Sequence, residues 1–197
     1  MLSAFLEPFR DYLEWIAAFL GLITVLLVVR RSIWNYPFAL AMVSLYFFEF
    51  AGEKLYSDAL LQIFFFLING YGWWMWHRAP AVEDGVAVER MRNRLRILWL
   101  AATAIASLLL GWAMATLTDA AAPFIDAAIA GSSIAAQMLQ SLRRVESWAL
   151  WILADLIAVP LYWSKGMYPT AGLYGIFLIL AIVGLVSWQR TLDREAA

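Results

Sequence analysis

Residues 55–76 read LYSDALLQIFFFLINGYGWWMW, and residues 167–188 read MYPTAGLYGIFLILAIVGLVSW. Laid over each other at an offset of 112 residues, they coincide at Tyr56/Tyr168, Ala59/Ala171, Leu61/Leu173, Phe65/Phe177, Gly72/Gly184 and Trp76/Trp188. Matches among Ala, Leu and Phe are cheap in apolar sequence, so the tryptophan match carries most of the weight. Upstream, Arg30–Arg31 and Arg143–Arg144 each lead into the apolar segment that precedes the matched stretch. The pattern predicts an internal repeat.

The composition says what kind of element repeats. Of 197 residues, 64% are hydrophobic and 15% charged, and mean hydropathy is +0.74. A soluble domain runs near ~45–50% apolar and ~25% charged, so the chain reads as an integral membrane protein. A helix needs about 20 mostly apolar residues to cross a bilayer. Seven segments qualify, near 14–29, 36–51, 58–76, 97–117, 120–138, 146–163 and 169–188. The fifth is rich in Ala, Gly and Ser and carries Asp126; small residues permit close helix packing, so it reads as a buried span. The runs are continuous and do not alternate, which argues against a β-barrel. The N-terminus carries Glu7, Asp11 and Glu14 instead of the basic region of a cleavable signal peptide.

The basic residues orient these spans. Loops after spans 1, 3 and 5, with the C-terminal segment, hold Arg30, Arg31, Arg78, Arg90, Arg92, Arg94, Arg96, Arg143, Arg144, Arg190 and Arg194, while the other side holds Arg10, Lys54 and Lys165. This asymmetry predicts a periplasmic N-terminus and a cytoplasmic C-terminus in a bacterial inner membrane. The expected fold is all-α: seven transmembrane helices as two parallel three-helix repeats joined by a linker helix. The expected divisions are a first repeat over 1–77, a cytoplasmic linker over 78–95, a linker span over 96–118 and a second repeat over 119–197. Parallel repeats about an axis normal to the membrane are a transporter architecture, with the substrate near the midplane. Trp34, Trp76, Trp148 and Trp188 fall near span ends, as an aromatic belt would place them.

Polar groups inside spans suggest where a substrate binds, because an ionisable side chain at the bilayer centre costs about 2.5–3.5 kcal/mol on insertion scales. In span 6, Trp148, Trp151, Asp155 and Tyr162 lie within about 60° of one another on a helical wheel. Gln62, Phe66, Asn69, Trp73 and Trp76 share one face of span 3. Asn35, Met42, Tyr46 and Glu49 share one face of span 2, and Thr170, Tyr174 and Phe177 line up in span 7. Gln62 and Asn69 also suit simple interhelical hydrogen bonding. Facing stripes would form an aromatic slot with polar ends, suited to a flat, partly polar organic molecule. Pro160 inside span 6 is a candidate kink.

The stretch 55–76 and the stretch ESWALWILADLIAVPLYWSKGMYPTAGLYGIFLILAIVGLVSW at 146–188 resemble the PnuC family of vitamin transporters. The motifs that carry the resemblance are Trp148-Ala-Leu-Trp151, Leu61-Gln62, and Gly72 with Trp76. It extends over about 14–78 and 140–190, and the family is similar to sugar-transporting SWEET proteins in its three-plus-one-plus-three arrangement. The resemblance implies facilitated diffusion of nicotinamide riboside or a related vitamin such as thiamine, with a cytoplasmic kinase trapping the product. It also implies that the tryptophan pair and the polar residue one turn on belong to the substrate site. Where nicotinamide riboside members carry Asn, this chain has Asp155, and a carboxylate there favours a cationic ring over neutral riboflavin.

Other classes fit poorly. There is no cysteine and one histidine, His77, which excludes thiol chemistry and multi-histidine metal sites. A net charge of −1 argues against nucleic acid as a partner. A rhodopsin-type pump needs a Schiff-base lysine within span 7, and the lysines are Lys54 and Lys165, both in loops. No nucleotide-binding motif suggests direct use of ATP. The expected partners are thus the lipid bilayer and a small-molecule vitamin, with a homo-oligomer left open; no cofactor and no enzymatic activity are expected.

Overall fold

The computed structural model describes residues 10–52, 56–82 and 85–195. Glu7 and Lys54 lie outside the described residues, as do the side chains of Arg10, Asp11 and Glu14. Seven helices are present among the described residues: α1 (Arg10–Val29), α2 (Asn35–Gly52), α3 (Tyr56–His77), α4 (Asn93–Leu117), α5 (Pro123–Ser141), α6 (Ser147–Ser164) and α7 (Tyr168–Glu195). Each overlaps one of the segments expected from hydropathy. Between α3 and α4 the chain adds a short antiparallel pair, β1 (Ala81–Val82) and β2 (Gly85–Val86), which hydropathy did not suggest.

On length and composition alone, α4, α6 and α7 are sufficiently apolar to cross a membrane, and in α1 the apolar run is Trp15–Val29. The remaining helices are diluted for identifiable reasons. Glu49 and Asn35 lie in α2, Gln62 and Asn69 in α3, and Ser132, Gln137, Gln140 and Ser141 in α5. These polar groups can enter a bilayer only if protein covers them, and Asn35, Asn69, Ser132, Gln137, Gln140 and Ser141 are all buried.

The chain divides into two compact units between Ala87 and Val88. In the first, α2 packs against both α1 and α3; in the second, α5 packs against α4 and α6, and α6 against α7. The helix boundaries repeat at the offset seen in the sequence: α1 ends at Val29 and α5 at Ser141, α2 begins at Asn35 and α6 at Ser147, α3 begins at Tyr56 and α7 at Tyr168.

Turn geometry repeats too. Among the described residues, Arg31 and Arg143 are the non-glycine residues with positive φ, 55° and 59°, each just past a helix C-terminus, where a left-handed residue closes the last turn. The amides of Arg31 and Ser32 donate to Val28 and Leu27 at 2.8 and 2.9 Å; those of Arg143 and Arg144 donate to Gln140 and Leu139 at 2.9 and 2.9 Å. Beyond each turn an aromatic pair meets edge to face. Tyr36 and Trp76 have ring centroids 5.4 Å apart at 85°, and Trp148 and Trp188 lie 5.4 Å apart at 87°. All four rings are almost wholly buried. The matched glycine of the second repeat explains how: a Cβ on Gly184 would stand 2.5 Å from the Trp148 ring, so the ring occupies the space a side chain would need. Gly72 is also buried.

The segment between α3 and α4 is tied into each unit separately. In the first unit the Val86 amide donates to the Arg31 carbonyl at 3.1 Å. Gly85, at φ 133°, lies where a Cβ would meet that carbonyl at 2.8 Å, so both backbone angle and close approach call for glycine. In the second unit the Glu89 amide donates to the Arg143 carbonyl at 2.9 Å, and the Glu89 carboxylate pairs with Arg143 at 3.2 Å and Arg144 at 2.6 Å. Glu146 accepts from the Met91 amide at 3.0 Å and from Arg96 at 2.8 Å. Asp126, ambiguous in the sequence, lies in the first turn of α5 and 3.8 Å from Lys165. An acidic group suits that position, where the helix dipole is positive. The α4 surface is mostly exposed, with Leu98, Leu108, Leu109 and Trp112 all pointing away from protein, as a lipid-facing linker span would require.

Candidate functional site

The residues expected to bind substrate fall in both units. In the second, α6 carries Trp148, Trp151 and Asp155 along one flank, but the two tryptophans have different surroundings. Trp148 is 1% exposed and enclosed by Trp188 and Gly184. Trp151 is partly buried against the cluster of Met91, Ala135, Ala136, Leu139 and Leu150. Its Nε1–H donates to Oε1 of Gln140 on α5 at 2.9 Å. One turn further, Asp155 is 4% exposed. Near the far end of α6, Tyr162 lies against Tyr174 of α7 with centroids 5.1 Å apart, and Tyr174 meets Phe177 edge to face at 6.3 Å. Tyr162, Tyr174 and Phe177 therefore form a contiguous aromatic set.

In the first unit, Gln62 and Phe66 line a groove of about 210 Å³ with Val43, Ser44, Phe47, Phe48 and Ile63. Its walls are almost entirely apolar, and Gln62 supplies an amide to them. Phe66 and Trp73 are exposed, 46% and 41%, on the same helix face as the buried Asn69. The Asn69 side-chain amide donates to the Phe65 carbonyl at 2.8 Å, one turn back. Tyr46 stacks on Phe50 at 5.7 Å, and Glu49 is half-buried. Asn35, grouped by spacing with Tyr46 and Glu49, is used locally: its amide donates to the Ser32 carbonyl at 2.7 Å in the turn before α2.

The repeat lets each position be compared with its counterpart. At 112 residues apart, Trp151 corresponds to Ala39, Asp155 to Val43 and Gln140 to Val28. Ala39, Val43 and Val28 are all buried and apolar. The second unit thus places an aromatic ring, a carboxylate and an amide where the first has small apolar side chains, one of which, Val43, lines the Gln62 groove. Gln140 went unnoticed in the sequence because the fifth span was read for its small residues; the offset that aligns Gln140 with Val28 was the available signal.

Among the described residues no cluster of His, Asp or Glu could hold a metal ion. The second unit presents the Trp151 ring and the Asp155 carboxyl on one flank of α6, and the first unit, by itself, an amide-bearing apolar groove at Gln62.

Known proteins carry similar sequences. The family described as "Nicotinamide mononucleotide transporter" matches residues 11–190. The nicotinamide riboside transporter PnuC of Escherichia coli is 28% identical over 203 residues, covering 90% of this chain and 85% of the relative. The riboflavin/roseoflavin transporter RibM of Streptomyces davaonensis is 30% identical over 198 residues, covering 95% and 91%. The crystal structure of the vitamin B3 transporter PnuC superposes with a TM-score of 0.78 at 26% identity, covering 98% of this chain and 87% of that one.

Proposed function

The chain belongs to the nicotinamide mononucleotide transporter family, integral membrane transporters of vitamins rather than enzymes, and from that premise we propose that it carries nicotinamide riboside by facilitated diffusion. A cytoplasmic kinase then traps the vitamin by phosphorylating it. The observation that carries this choice of substrate is Asp155, a buried carboxylate one helical turn from the half-buried Trp151. The pyridinium ring of nicotinamide riboside is flat and positively charged. A tryptophan face attracts such a ring, and a carboxylate in a medium of low dielectric attracts it more strongly than it would in water. Thiamine also carries a cationic ring and is the alternative within this reading.

A second reading, riboflavin, is favoured by the likeness to RibM, whose identity to this chain is 30%. Riboflavin is flat and neutral, so it would stack on Trp151 without needing the charge of Asp155.

The test is a titration of the purified protein, followed by tryptophan fluorescence, against nicotinamide riboside, its mononucleotide, thiamine and riboflavin. Nicotinamide riboside is expected to bind most tightly. Tightest binding by riboflavin would replace this reading with the second, and binding of none would overturn both.

We also propose seven membrane crossings, an outside N-terminus and a cytoplasmic C-terminus, from the distribution of arginines. A reporter fused after residue 197, and another inserted within 78–94, are both expected to read out in the cytoplasm. A periplasmic signal from either removes the seven-span arrangement.

A further inference from the structure

We propose that Gln140 is a positioning residue: by accepting the indole N–H of Trp151, it fixes the ring in the orientation that stacks on the substrate. This rests on the reading of Trp151 as a substrate-stacking residue.

The hydrogen bond is 2.9 Å long and joins α5 to α6. Gln140 is 8% exposed, so water competes little for its carbonyl. Trp151 needs such a constraint more than Trp148 does. The Trp148 ring is held by Trp188 and the notch at Gly184, whereas Trp151 is only partly buried, against the cluster around Ala136, Leu139 and Leu150. A partly exposed ring keeps more freedom about χ1 and χ2 than an enclosed one. A bond at its N–H removes most of that freedom before the ligand arrives, which lowers the ordering cost of binding.

The first repeat supplies the comparison. The same helix pairing there, α1 with α2, has Val28 and Ala39 at the equivalent positions, both buried. At that position the crossing forms between two apolar side chains. What the polar pair adds is the direction of a ring, which matters only if that ring touches something.

The experiment measures transport in proteoliposomes and ligand binding, with nicotinamide riboside as the probe, for Gln140→Leu, Gln140→Glu, Trp151→Phe and the double variant Gln140→Leu/Trp151→Phe. Gln140→Leu is expected to raise KM and Kd about five- to twentyfold with Vmax changed less than about twofold, the pattern of lost preorganisation. Gln140→Glu keeps an acceptor and is expected to stay within about threefold of the parent. Trp151→Phe keeps a ring but has no N–H, so Gln140→Leu added to it is expected to cause no further loss. Thermal unfolding of each variant checks that it is folded; should Gln140→Leu fail to fold, Gln140→Met carries the same test. If Trp151→Phe weakens binding while Gln140→Leu does not, or if the two losses simply add, the positioning role is overturned and stacking survives. If Trp151→Phe and Trp151→Ala both bind normally, the stacking reading itself fails.

Discussion

Trp151→Ala is expected to weaken binding of the vitamin roughly 5- to 150-fold, because stacking a ring on an aromatic side chain is worth about 1–3 kcal/mol. The effect is assigned to Trp151 and not shared equally with Trp148, although the sequence presents them as a pair. Trp148 is enclosed on its own side by Trp188 and Gly184, so its replacement by alanine empties a large buried volume and acts first on stability. For such truncations the cost is about 3–5 kcal/mol. The measurement is a pair of titrations with a parallel thermal melt. Trp151→Ala should melt close to the parent and bind poorly, while Trp148→Ala should melt early. A Trp151→Ala protein that remains folded and binds like the parent would reduce that residue to a helix-packing contact.

Asp155→Leu is expected to lose binding by roughly 30-fold or more, since leaving one partner of a close charge pair buried and alone costs about 2–5 kcal/mol. Asp155→Asn keeps a hydrogen-bonding group of the same size and is expected to cost no more than about tenfold, near 1.4 kcal/mol. The ratio between the two variants separates charge from shape. A cationic ring gives Asp, then Asn, then Leu in falling order of affinity. A neutral ring gives Asn equal to or tighter than Asp, which would move the substrate toward riboflavin. If Leu binds as the parent does, Asp155 points away from the ligand, and recognition moves to the Gln62 and Glu49 faces.

The sequence made the helices legible because a bilayer imposes a long, continuous apolar signal, and the seven segments read from it each overlap a helix. It made the repeat legible because Trp76 and Trp188 are rare residues at one offset, and because Gly72 and Gly184 accompany them. Three features were not legible. The paired strands Ala81–Val82 and Gly85–Val86 have two residues each, too short to show any periodicity. The division of labour between Trp148 and Trp151 depends on which neighbour covers each ring, and a helical wheel shows direction without showing depth. Gln140 belongs to a span whose Ala and Gly content suggested packing alone; its meaning appears only once Trp151 lies 2.9 Å away.

Arg31 and Arg143 hold a left-handed backbone that costs an ordinary residue about 1–2 kcal/mol and glycine almost nothing. The chain carries arginine there twice, in two separately folded turns. Glycine at either position would relax the backbone while discarding a guanidinium, and in the second turn that guanidinium meets Glu89. The two changes act in opposite directions on the folded state. A screen that ranks variants by melting temperature alone would therefore reward the removal of two of the charges from which the orientation in the membrane is proposed.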